Sequence, residues 1–251
     1  MPTSNSWVTC PHPNSQASLR LFCFPYAGGS SLIFRSWSSN LPSSVEVYPI
    51  ELPGRGTQIK LAPFNRLEPL VINIAHAILA YLDKPFAFFG HSMGGLVSFE
   101  LTRLLRKEYG INPVHLFISG RRAPQIPNSK PPIHTLTEPA FKEELRRLNG
   151  TPQSVLENPE IMHLLLPMLR ADFAVLETYI YTHEHPLKCP ITAFGGLQDE
   201  EVSLEELQAW QEQTIASLQL QMFPGNHFFI HSAKALLLKI LAEHINALTC
   251  I

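Results

Sequence analysis

Short apolar runs, rich in branched and aromatic residues, alternate along this chain with longer stretches whose apolar residues recur at helical spacing. The short runs predict strands over residues 7–10, 19–24, 45–51, 86–90, 114–119, 191–195 and 218–223. Phe86-Ala87-Phe88-Phe89 is apolar throughout. A strand buried on both faces of a parallel sheet reads this way. The longer patterns predict helices over 70–82, 96–109, 204–217 and 233–248. Strands alternating with helices imply an α/β architecture, a mostly parallel sheet flanked by helices.

The alternation stops between about residues 123 and 185. No convincing strand occurs there, prolines punctuate the stretch, and helical patterns cover 138–148 and 160–181. A helical insertion between two core strands is the usual form of a lid over a site. With no internal repeat, low-complexity tract or linker in view, the whole chain is expected to be one domain carrying this insertion.

Composition changes that picture little. The 251 residues are 45% hydrophobic and 16% charged, with a formal net charge of -2. A polyanionic partner such as nucleic acid is not expected. No apolar run reaches the roughly 20 residues of a membrane helix, and the N-terminus lacks a signal-peptide pattern. A cytoplasmic protein with no membrane partner is expected, and its four cysteines, Cys10, Cys23, Cys189 and Cys250, should be reduced thiols. The eleven histidines form no HExxH pattern, so no metal is expected.

Chemistry enters at Gly90-His91-Ser92-Met93-Gly94, a G-x-S-x-G string. Alone it is weak. Here a predicted strand ends at Gly90 and a helix starts just after Ser92, the strand-turn-helix setting in which a serine becomes an exposed nucleophile. In α/β-hydrolases the acid and then the histidine follow from loops after later strands. Asp199 follows the run at 191–195 and His227 follows the run at 218–223. His227 would take the serine proton, and Asp199 would orient the imidazole. Glu200, Glu201 and His231 are the neighbouring rivals, and His91 should point away from the nucleophile. Two backbone N–H groups must hold the oxyanion. Met93 supplies one, and the loop Phe24-Pro25-Tyr26-Ala27-Gly28-Gly29-Ser30 supplies the other, from Ala27 with Tyr26 as competitor.

With these residues in place, the chain resembles the type II thioesterases, editing hydrolases of polyketide and nonribosomal peptide assembly lines. Medium-chain fatty-acyl thioesterases are relatives of that family. The resemblance rests on FCFPYAGGS at 22–30, ELPGRG at 51–56, GHSMGG at 90–95 and SGRRAP at 119–124. It continues through LRADFAVLETY at 169–179, FGGLQDEEVS at 194–203 and PGNHFF at 224–229. Gln58 and Asn226 depart from the residues common in relatives. The resemblance implies an α/β-hydrolase fold, a Ser92–Asp199–His227 triad, and Ala27 and Met93 as oxyanion donors. It also implies acyl thioesters on the phosphopantetheine arm of an acyl or peptidyl carrier protein, with no cofactor of the enzyme's own. Tyr26, Leu164, Leu165, Met168, Phe173 and Phe228 are then expected to line the acyl chamber. Arg121 and Arg122 are either carrier contacts or structurally paired residues. A monomer acting in trans is expected. An esterase or lipase acting on oxygen esters shares the triad but little of the rest. A non-catalytic binding protein would have lost one of the three side chains.

Overall fold

Six of the seven expected runs pair into one sheet. The structure, a computed structural model, describes residues 7–249. Its strands are β1 (Leu19–Phe24), β2 (Val45–Pro49), β3 (Phe86–His91), β4 (His115–Ser119), β5 (Ile191–Gly196) and β6 (Leu218–Phe223). They run parallel in the order β2-β1-β3-β4-β5-β6. The helices are α1 (Leu67–Ile78), α2 (Met93–Tyr109), α3 (Glu138–Leu148), α4 (Gln153–Leu156), α5 (Pro159–Glu177), α6 (Leu204–Gln208), α7 (Phe229–Ser232) and α8 (Lys234–Thr249).

The two-residue period of a strand sorts the apolar runs onto two faces. Phe22, Phe24, Phe86, Phe88, Leu116 and Ile118 pack on one side with Leu70 and Ile74 of α1 and Leu96 and Val97 of α2. Leu21, Cys23, Ala87, Phe89 and Phe117 pack on the other with Leu237, Leu241 and Ile245 of α8. Apolar side chains on both faces are why the central strands read as unbroken runs.

Three expectations need correction. Residues 7–10 form no strand: Val8 makes a single antiparallel bridge to Ile50, and Pro11 and Pro13 follow. Proline has no N–H for a ladder, so pairing stops there. The helix expected over 204–217 ends at Gln208 and passes through a 3-10 turn, Ala209–Gln213. Thr214 is already extended, and its hydroxyl donates to Cys189 O (2.8 Å), tying the chain to the approach to β5. The helix expected over 160–181 ends at Glu177, where the Thr178 hydroxyl turns back onto Ala174 O.

Between β4 and β5 the insertion builds a small core of its own. Phe141, Leu145, Leu156, Met162, Leu166, Met168 and Leu169 pack together. Cys10, Cys23 and Cys189 are free thiols, and Cys250 lies outside the described residues. Among the described residues no helix is long and apolar enough to cross a membrane.

Two buried histidines make the fold sensitive to acid. His115 accepts or donates at Thr192 Oγ1 (2.8 Å), and burial beside His244 pushes its pKa down to about 4 from the ordinary 6.5. His91 is held well below the ordinary value by burial and by the neighbouring His227 and His231. The unfolded chain therefore binds more protons than the folded one once pH drops below the ordinary histidine range, and stability must fall. Denaturation midpoints measured between pH 7 and pH 5, above the carboxylate range, are expected to decline with pH, and His115→Gln should flatten part of the slope.

Candidate active site

Ser92 sits between β3 and α2 with φ 52° and ψ −110°, a conformation rare for a residue with a side chain. The turn is held on both sides by close backbone approaches. A Cβ on Gly90 would come within 2.1 Å of Gly94 O, and one on Gly94 within 2.1 Å of Phe24 O. The two glycines of G-x-S-x-G are thus required by packing. Ser92 N–H donates to Ser119 O (2.7 Å), anchoring the turn to β4. The hydroxyl stands at the N-terminal end of α2, where unpaired N–H groups favour negative charge.

Asp199 and His227 come from the loops after β5 and β6. His227 Nδ1 lies 2.9 Å from Asp199 Oδ2, and the Asp199 side chain is fully buried. The other carboxylate oxygen accepts the N–H groups of Glu201 (2.8 Å) and Val202 (3.3 Å). Asp199 is therefore fixed by its own loop and spends one oxygen on the imidazole. Ser92 Oγ and His227 face the same chamber without a direct hydrogen bond, an open contact of the kind that tightens when substrate arrives. The rivals are occupied elsewhere. Glu200 is exposed, Glu201 pairs with Lys130 (2.6 Å) and Arg147 (2.9 Å), and His231 bonds the Tyr26 hydroxyl (2.8 Å). His91 is buried, with Nδ1 2.8 Å from Ser119 Oγ and its ring packed on that of His227. Its ring is thus engaged by Ser119 and by His227. Asn226 Oδ1 accepts the Phe228 N–H (3.0 Å), so a neutral residue shapes the histidine loop here.

The loop after β1 forms a tight turn. Gly29 N–H donates to Tyr26 O (2.8 Å), and Gly28 takes φ +81°, as the third residue of a type II turn must. The Gly28 N–H is already taken by Asp172 Oδ2 (2.7 Å). Ala27 and Met93 have no acceptor for their N–H groups among the described residues. Asp172 belongs to α5 and makes a bidentate ion pair with Arg55, at 2.6 and 2.7 Å, while Arg55 also donates to Gly29 O (2.9 Å). Both side chains are about 95% buried, with exposures of 5% and 4%. Sequence reasoning missed this pair. The nearby departure, Gln58, is buried in the same loop and donates to Glu51 O (2.7 Å).

A chamber of about 830 Å³ opens over Ser92. Tyr26, Phe173 and Phe228 line it, as expected. Leu164, Leu165 and Met168 do not. Leu164 is 60% exposed on the outer side of α5, Leu165 packs on the insertion's own core, and Met168 lies in that core against Gly54. The α5 face that meets the chamber carries Leu169, Phe173 and Leu176. Their spacing of four and three residues is one helical stripe, the signal that could have selected them. Arg122 is not a free surface group: it pairs with Glu206 (3.6 Å) and donates to Glu201 O (3.2 Å). Arg121 lies in the chamber wall, with its Nε sealed from solvent. Among the described residues no group of three or more His, Cys, Asp and Glu could hold a metal ion.

A serine on a strained strand-to-helix turn, followed in chain order by an aspartate and its histidine at the carboxyl ends of a parallel sheet, defines the α/β-hydrolase class. The sequence pattern of the thioesterase domain covers residues 19–249, and the chain belongs to that family. It is 46% identical over 241 residues to the gramicidin S biosynthesis protein GrsT of Aneurinibacillus migulanus, covering 96% of this chain and 94% of that one. Among solved structures it is similar to RedJ, a thioesterase of the prodiginine pathway in Streptomyces coelicolor (TM-score 0.85, 38% identity, 90% of each chain). It is also similar to BorB, the type II thioesterase of the borrelidin cluster (TM-score 0.88, 32% identity, 97% of this chain and 99% of that one).

The Arg55–Asp172 pair gives a direct test. Asp172→Asn removes one charge and leaves the buried guanidinium uncompensated, which costs about 3–5 kcal/mol in comparable pairs. Denaturant unfolding of the variant is expected to show a loss of that size. Replacing both partners with apolar residues, Arg55→Met with Asp172→Leu, should recover much of it.

Proposed function

We propose that this chain is a serine thioesterase that hydrolyses acyl groups from the phosphopantetheine arm of carrier proteins, editing nonribosomal peptide or polyketide assembly lines. The observation that carries the reading is likeness over nearly the whole chain to GrsT, a gramicidin S biosynthesis protein. BorB, similar over 97% of the chain, is itself described as a type II thioesterase. A generic esterase would share the serine motif and the triad order without that extent of likeness.

Ser92 is the nucleophile in this reading. As its Oγ attacks the thioester carbonyl carbon, the proton passes to His227 Nε2, the nitrogen that Asp199 leaves free. Asp199 holds the tautomer and stabilises the imidazolium. The oxyanion is held by Met93 N–H at the start of α2 and Ala27 N–H in the turn after β1, with Tyr26 N–H the competing donor. The C–S bond then breaks, the sulfur leaves as a thiol with the proton from His227, and the acyl group remains as an ester on Ser92. Water gives its proton to His227, attacks that ester, and releases a free acid as the proton returns to Ser92. These steps need side chains, backbone donors and water.

The insertion covers the chamber in this reading and moves to admit the arm. The carrier docks at the rim, where Lys130, Arg147 and Glu201 meet. Such a contact is small and salt-sensitive.

Two measurements test the proposal. Ser92→Ala is expected to lower kcat/KM by about a thousandfold or more, the usual scale of triad losses, with far-UV circular dichroism unchanged. Substantial turnover by the folded variant would remove Ser92 as nucleophile. The second measurement compares one acyl group presented on a carrier protein, on CoA and on a small thiol. The carrier should win by roughly tenfold, about 1.4 kcal/mol of transition-state binding. Equal values for carrier and CoA would count against editing.

A further inference from the structure

Arg121 is a cation that the proposed reaction leaves unused. It follows Gly120, whose φ of +57° turns the chain off the end of β4. Its Cβ lies where a Cβ on Gly95 would come within 3.1 Å, so the side chain starts beside the first turn of α2. That is the helix Ser92 begins. Its Nε is sealed from solvent and has no hydrogen-bond partner, while the terminal nitrogens are not sealed, and the residue lines the chamber shared by Ser92 and His227. No described residue accepts a hydrogen bond from this guanidinium or pairs with it.

The nearby acidic groups are already committed. Glu206 pairs with Arg122 (3.6 Å) and accepts the Ser203 N–H (2.9 Å). Glu100 accepts from Arg103 (2.7 Å) and from the Tyr179 hydroxyl (2.7 Å). Burial and the adjacent Arg122 lower the Arg121 pKa to about 10, which leaves it charged at neutral pH. The chamber walls carry Ile133, Leu145, Leu169, Phe173 and Leu176, beside charged groups that pair with one another, Lys130, Arg147 and Glu201. Arg121 is half-buried, and the carboxylate whose charge acts on it, Glu206, is already paired with Arg122; a planar guanidinium so placed is matched best by a carboxylate held bidentately.

We propose that Arg121 recognises a carboxylate carried by the acyl group, so that thioesters of dicarboxylic acids are a substrate class of this site. The inference rests on the thioesterase reading and adds the chemistry of the acyl group to it. The phosphate of the arm is separated from the thioester sulfur by many bonds, so it does not reach the first turn of α2 while the thioester sits at Ser92. The amides of the arm are neutral and common to every substrate, and they would not distinguish one acyl group from another.

The test uses matched acyl groups on the same pantetheine arm. Malonyl is paired with isovaleryl, and succinyl with isocaproyl, so that an isopropyl group replaces each carboxylate at nearly constant shape. The readout is the ratio of kcat/KM within each pair. In Arg121→Met the carboxylate-to-isopropyl ratio is expected to fall by about tenfold or more for at least one pair, with Arg121→Lys in between. A ratio unchanged in both pairs, or an equal loss on all four substrates, would overturn the proposal and make Arg121 an arm contact or a structural residue. Calorimetry on the wild-type protein supplies a measurement that needs neither a variant nor turnover. The monoamides of malonic and succinic acid, in which a neutral amide stands for the thioester, should bind more tightly than isovaleramide or isocaproamide, which carry no carboxylate, and equal binding would overturn the proposal. Loss of all wild-type turnover would instead strike at the thioesterase reading and leave the calorimetric comparison to decide this one.

Discussion

The buried ion pair between Arg55 and Asp172 joins three pieces of chain that sequence separation keeps far apart. Burying two charges is costly, and their attraction offsets the cost only when every remaining polar atom is satisfied. Here both carboxylate oxygens face the guanidinium, one also accepts the Gly28 N–H, and Arg55 donates to Gly29 O. The pair thus clamps the 51–56 loop, the turn after β1 and helix α5 at one point. Leu169, nearly one turn before Asp172 on α5, presses on the same turn: its Cδ2 would lie 2.7 Å from a Cβ on Gly28. By taking the Gly28 N–H and fixing the turn, Asp172 leaves the N–H groups of Tyr26 and Ala27, which have no acceptor among the described residues, as the candidate donors. A contact on the insertion's longest helix therefore sets the geometry of the proposed oxyanion site.

That clamp divides the insertion. The second half of α5, with Ala171, Asp172, Ala174 and Val175 buried, is packed to the body of the protein. An opening of the kind proposed would therefore hinge before that point. The rim is held differently. Glu201 binds Lys130 and Arg147 through partly exposed pairs, which contribute little individually and weaken with salt. Glu201 also donates its N–H to Asp199, and Phe228, next to the proposed base, touches Gly150 between α3 and α4. The insertion is thus held to the turn of Ala27 by a buried ion pair and to the loops of Asp199 and His227 by partly exposed ones.

Local pattern carried far in this sequence wherever one element decided the outcome. Phe86 to Phe89 read as a buried strand because both of its faces are covered. Gly90 and Gly94 read as flanking a tight strand-to-helix turn because the close approaches leave no room for other side chains. The order of Asp199 and His227 follows from strand order. Features that depend on two distant segments were harder to read. Arg55 and Asp172 are unremarkable singly, and nothing local says that they meet. Leu164 and Leu165 fit an apolar helix as well as Leu169 and Phe173 do, because one helix here serves both a private core and a chamber wall. Arg121 and Arg122 are adjacent and chemically alike, yet one is paired by Glu206 and the other is left facing the cavity. Only the packing of α6 against that segment separates them.

The position of the chamber follows from the topology. The chain lays β2 outside β1 and then crosses to β3, so the connections leave β1 and β3 in opposite directions, and the space above their carboxyl ends stays open. β1 ends in the turn of Ala27, β3 ends at Ser92, and β5 and β6 carry Asp199 and His227 to the same edge. The floor of the chamber is thus made largely of backbone groups and of side chains fixed by the sheet. Its roof and side walls are made of side chains from α5 and the preceding insertion. A backbone N–H keeps its position through most substitutions, whereas Phe173 and Leu176 are partly buried side chains on α5, off the sheet itself. In the proposed reaction, the architecture would separate the part that stabilises charge, built on the sheet, from the part that measures the acyl group, built on the insertion. Arg121 stands at the boundary between them, rooted in the sheet and facing the wall built on the insertion.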